Sequence, residues 1–116
     1  MIRLLLVALL TSISLGCAGC GTREIRVKDV TKNETIVLQN RPGASAPFGL
    51  RITGQGTIAG NAEVQLILNG AVRKKAALSG PVRFVWDDDW YSQEAEVRYR
   101  GGTATSGEVT LRYDFR

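Results

Sequence analysis

From Arg23 onward, apolar residues in this sequence recur at every second position, in short runs separated by turn-forming residues. Strand side chains alternate between two faces, whereas a helix returns to the same face only every third or fourth residue. No stretch after Arg23 keeps the helical period, so the pattern predicts strands. The C-terminus is the clearest case. Val109, Leu111, Tyr113 and Phe115 alternate with Glu108, Thr110, Arg112, Asp114 and Arg116, which places four apolar groups on one face of a strand. Ala95, Val97 and Tyr99 repeat the arrangement against charged neighbours, as do Val82, Phe84 and Trp86.

Val64, Leu66 and Leu68 lead into Asn69-Gly70, the preferred pair for a two-residue hairpin turn because both residues tolerate positive φ. Ala71 to Leu78 is expected to pair back on it. Ile25 and Val27, Ile36 and Leu38, and Leu50 and Ile52 begin further runs. Arg41 to Pro47, rich in Pro, Gly, Ala and Ser, is a loop suited to ending one sheet and crossing to another. About eight short strands with regular turns predict an all-β chain, a single small antiparallel β-sandwich over residues 23–116. The pattern leaves immunoglobulin-like and jelly-roll-like topologies both open.

The N-terminus follows a different rule. Met1, Ile2 and Arg3 supply one positive charge, and Leu4 to Leu15 is apolar apart from Thr11, Ser12 and Ser14. That is the length of a signal-peptide apolar segment and falls short of the ~20 residues a spanning helix needs. The run Leu15-Gly16-Cys17-Ala18-Gly19-Cys20 comes next. It resembles the lipobox of bacterial lipoproteins, in which small residues precede the cysteine that is acylated and exposed by cleavage. Ala18 and Gly19 match that pattern before Cys20, with Cys17 where the family has Leu. The alternative, Cys17, puts Leu15 where the family prefers a small residue.

The resemblance implies a signal peptide at 1–19, a lipid-anchor tether at 20–22, and diacylglyceryl and palmitate-class acyl chains on Cys20. Two or more chains hold a protein firmly to a bilayer, at ~0.8 kcal/mol per buried methylene. The resemblance also implies a cell-envelope location. Gly21 is not the Asp that retains such proteins in the inner membrane, so a Gram-negative host would carry the chain in its outer membrane, facing the periplasm.

Ordinary signal cleavage after Gly16 would instead free Cys17 and Cys20 as a Cys-x-x-Cys pair. Zinc takes four ligands, however, and the sequence has no other Cys and no His. No metal or cofactor is therefore expected. Missing histidine also removes the usual general base, so no nucleophilic triad is available and the chain is not expected to be an enzyme. The net charge of +4 is mild and its densest run is Arg73, Lys74 and Lys75, which reads as a solvated strand or turn rather than a nucleic-acid surface. Asn33-Glu34-Thr35 fits a glycosylation sequon that a bacterial lipoprotein would not ordinarily use.

Asp87-Asp88-Asp89-Trp90-Tyr91 is the most distinctive internal stretch. Carboxylates could hold calcium through oxygen, and Trp90 and Tyr91 could stack on a sugar ring. Successive strand residues face opposite ways, so at most two of the carboxylates converge without a turn. Gly54-Gln55-Gly56 with Gly60 reads as a bulge or tight turn rather than a phosphate loop. The functional expectation is an envelope lipoprotein, tethered to the membrane by its lipid, whose sandwich acts without catalysis through contacts with an envelope protein. The alternative is a glycan- or cation-binding module built on Asp87 to Tyr91.

Overall fold

The computed structural model describes residues 22–116, and the lipobox with Cys17 and Cys20 lies outside them. The described chain holds six strands and no helix: β1 (Arg23–Arg26), β2 (Glu34–Gln39), β3 (Gly49–Leu68), β4 (Ala71–Asp89), β5 (Glu94–Arg100) and β6 (Ser106–Phe115). Six replace the eight expected because β3 and β4 each join two of the alternating runs. The reason is glycine. Ala59 to Asn61 drop out of register between the Ile58 and Ala62 pairings, and Gly60 there has a φ of 102°. On the facing strand Gly80 has a φ of 62°. Residues that accept such angles let a strand bend where others would end it.

All strands belong to one antiparallel sheet, and the bend folds it in half. The first half of β3 pairs with the second half of β4 on one side and with β6 on the other, with β1 outside β6. The second half of β3 pairs with the first half of β4 and with β5, with β2 outside β5. Counted as eight segments, the first pairs with the last, the second with the seventh, the third with the sixth and the fourth with the fifth. That is jelly-roll pairing, and it decides between the two topologies left open by the sequence.

One ion pair proves the fold-over. Arg73 and Asp88 stand at opposite ends of β4 and would be about 50 Å apart on a straight strand. Arg73 Nε instead lies 2.8 Å from Asp88 Oδ2.

The core between the halves is the alternating set predicted above. Ile36, Leu38, Leu50, Ile52, Val64, Leu66, Val97, Tyr99, Val109 and Leu111 are buried, with Val82 and Trp86 beside them and Phe84 and Tyr113 partly covered. Burying one such side chain contributes about 1.5–3 kcal/mol before ordering costs. Asn69 and Gly70 have φ of 52° and 79°, the angles of the expected hairpin turn. Gly54 is shaped by packing: a Cβ there would meet the ring of Phe84, its cross-strand partner. Tyr99 reaches out of the core to donate its hydroxyl to the Val30 carbonyl at 2.7 Å, which pins residues 27–33 across the bend.

Candidate functional site

Folding the ribbon in half gives the sandwich two unlike ends. The bend forms one, from residues 27–33, 59–61, 79–80 and 101–105. The other is open and gathers the Asn69-Gly70 tip, the loops 40–48 and 90–93, Thr22 beside the start of β1, and Arg116. The loops are tied together. Asn40 N donates to the Gln93 carbonyl at 2.8 Å, and Gln93 Nε2 donates to the Ala44 carbonyl at 3.1 Å. Phe48 N donates to the Arg116 carbonyl at 2.7 Å, and Trp90 N to the Phe48 carbonyl at 3.3 Å. The loop 41–47 crosses between the two halves, as its composition suggests.

Asp87 to Tyr91 all lie at this open end, but strand alternation separates them. Asp87 points outward between Arg51 at 3.8 Å and Arg116 at 3.9 Å. Asp88 turns inward and is gripped by both arms of Arg73, Nε to Oδ2 at 2.8 Å and Nη2 to Oδ1 at 3.1 Å. Asp89 is exposed. No three carboxylate, thiol or imidazole groups among the described residues come together around a cation position. The two aromatics also part company. Trp90 is 3% exposed and its indole N–H donates to the Glu94 carbonyl at 2.9 Å, so it closes the end of the core, whereas Tyr91 is 71% exposed.

Arg73 is exposed, as expected of the solvated run Arg73 to Lys75, but it is also held in place. Leu66 pairs with Lys74 and Ile67 with Val72, so Arg73 is the extra residue of a bulge. The bulge turns its guanidinium toward Asp88. That hydrogen bond holds the Asp88 carboxyl below the usual carboxylate range, against the opposing effect of partial burial. A carboxyl lowered in the folded state stabilises the fold above its unfolded pKa of ~3.9, and the contribution is lost as pH falls through the lowered value. Asp88→Asn should therefore lower stability at pH 7 and flatten its decline below about pH 4. Urea unfolding at pH 7, 4 and 3 checks this, and an acid decline as steep as that of the parent would refute it.

Around Tyr91 the open end carries a groove of 590 Å³ lined by Leu68, Asn69, Arg73, Asp89, Trp90, Tyr91 and Ser92. Phe48 shares the parity of Leu50 and Ile52, which would turn it inward, yet it is 71% exposed. The sequence signal against an inward place is its position at the end of a loop, directly after Pro47.

No protein-family model matches the chain, and no curated relative is found. Among solved structures it is similar to part of dimeric latent PorU from Porphyromonas gingivalis, with a TM-score of 0.58 and 10% identity over 81% of this chain and 12% of that one. It is also similar to PirA, with a TM-score of 0.51 and 10% identity over 83% of this chain and 94% of that one. A weaker likeness is to PliG from Aeromonas hydrophila, a periplasmic lysozyme inhibitor of g-type lysozyme, with a TM-score of 0.49 and 12% identity over 85% and 90% of the two chains. At such identities the first two likenesses establish the fold alone: this chain is an all-β sandwich.

Proposed function

We propose that this chain is a membrane-anchored bacterial envelope lipoprotein whose β-sandwich works without catalysis, through contacts with another envelope protein. The observation that carries this reading is where the chain enters the domain. Thr22 stands at the open end, two residues after Cys20, and at ~3.5 Å per residue that tether reaches about 7 Å. Acyl chains on Cys20 would hold the open end against the bilayer and leave the outer sheet faces and the bend to meet a partner.

The interior supports a role played at the surface. No polar or charged residue is buried among the described residues, and the carboxylates of the open end are largely occupied by arginines. Gly21 after the acylated cysteine favours the outer membrane of a Gram-negative cell, facing the periplasm.

Cys20→Ser should move the protein almost completely from the membrane fraction to the soluble one and abolish incorporation of a labelled palmitate analogue. Cys17→Ser should leave both unchanged. Label retained on the Cys20→Ser chain would sink the reading. A photo-crosslinker placed at exposed Val85 or at Arg98 would then capture the partner in intact cells.

The 590 Å³ groove beside the exposed Tyr91 ring favours a second reading, a glycan-binding module. It requires array binding that Tyr91→Ala removes. A blank array on the folded protein disposes of it.

A further inference from the structure

We propose that the open end of the sandwich is itself a lipid-contacting face, with Phe48 and Tyr91 seated in the membrane interface beside the tether. This inference rests on the lipoprotein reading and adds to it that the domain touches the bilayer directly. Six large apolar side chains are conspicuously exposed among the described residues: Val37, Phe48, Leu68, Val72, Val85 and Tyr91. All but Val85 lie within two residues of a strand terminus at the open end. The bend presents Lys28, Asp29, Thr31, Lys32, Asn61 and Ser79 instead. The molecule is thus polarised along its length, and its apolar end is the end where the chain arrives from Cys20.

The chemistry of that end suits a lipid interface better than a watery one. Phe48 and Tyr91 are the two most exposed apolar side chains, and aromatic rings, above all those with one polar atom, collect at the level of lipid headgroups. Several of the nearby charges are matched, Asp87 by Arg51 and Arg116, Asp114 by Arg116, Asp88 by Arg73, and Glu24 by Arg112, whereas Arg41 and Asp89 are exposed and make no ion pair among the described residues. Paired charges resist approach to a low-dielectric surface less than bare ones do, and arginine stems cover apolar surface while their heads stay wet. A tether of about 7 Å leaves little room for the end to stand clear of the bilayer.

The test uses the mature acylated chain in vesicles of phosphatidylethanolamine and phosphatidylglycerol that contain nitroxide-labelled lipid. With Cys17 removed and the Cys20 sulfur consumed by its thioether, an introduced cysteine is the one free thiol for a fluorophore. Phe48→Cys, Tyr91→Cys and Ser79→Cys replace exposed residues, so each variant should fold. Lipid nitroxides should quench the fluorophore at 48 and at 91 at least threefold more than at 79. Equal quenching at the three sites, in protein whose acyl mass is verified, overturns the lipid face and leaves the lipoprotein reading standing. If the acyl mass is missing, both fail. Equal quenching in pure lipid, together with thiol protection at 48 and 91 in native envelope membranes, also overturns the proposal and assigns the end to a protein partner.

Discussion

Trp90→Ala should destabilise the domain by about 3–5 kcal/mol, the range for deleting a buried large aromatic side chain. Trp90 is 3% exposed within the core cluster, at the open end where the chain passes from β4 to β5. Its removal leaves a cavity under the loops and also strands the Glu94 carbonyl, which accepts the indole N–H at 2.9 Å. In a domain of this size such a loss lowers the melting temperature by more than about 12 °C. Tyr91→Ala, one residue away but 71% exposed, should stay within about 0.5 kcal/mol of the parent. Urea unfolding of the pair checks both. Similar midpoints would show that Trp90 does not close the core.

Gly56→Ala should cost about 2–6 kcal/mol, the sum of a strained backbone and an overfilled contact. Gly56 holds a φ of 147°, and a Cβ there would lie 1.9 Å from the Glu108 carbonyl oxygen of β6. Gly107 is its counterpart on β6, with a φ of 130° and an imagined Cβ 2.1 Å from the Thr57 carbonyl oxygen. Each glycine lets the opposite backbone come close, and neither clash can be relieved by turning a side chain. Gly70→Ala is the contrasting variant. Its φ of 79° is unfavourable too, but nothing lies within 4 Å of the added carbon, so it should bear only the backbone cost, about 1–3 kcal/mol. If Gly56→Ala unfolds no more readily than Gly70→Ala, close approach of β3 and β6 is not what demands glycine there.

The inward set was legible because it depends on parity alone. Val109, Leu111, Val97, Tyr99, Ile36 and Leu38 face the core whichever strands surround them. The Asn69-Gly70 turn was legible for a similar reason, since its angles follow from its own two residues. What depends on distant partners was hidden. The Gly54 to Gly60 stretch reads locally as a bulge or turn, and only the pairing of β3 with both β4 and β6 makes it a bend inside one long strand.

The Arg73 to Asp88 fork joins residues that alternation alone would place far apart. It also explains why Asp87 to Tyr91 is not the cluster its spelling suggests: one carboxylate is spent on the fold and the tryptophan on the core. Phe48 continues the parity of Leu50 and Ile52 but precedes β3, so its exposure follows from the loop held by Arg116 and Trp90 and not from alternation.

The pairing of β1 with β6 carries a consequence for the order of events in the life of the chain. Ile25 sits opposite Leu111, so the first strand to leave any synthesising or exporting machinery has the last one as its hydrogen-bonded neighbour. Contacts between such distant segments form late, because the whole intervening chain must be ordered to bring them together. At ~5–20 residues per second, several seconds separate the making of the two strands. The domain therefore cannot close piecemeal from β1, which gains its hydrogen-bonded neighbour only once β6 is in place.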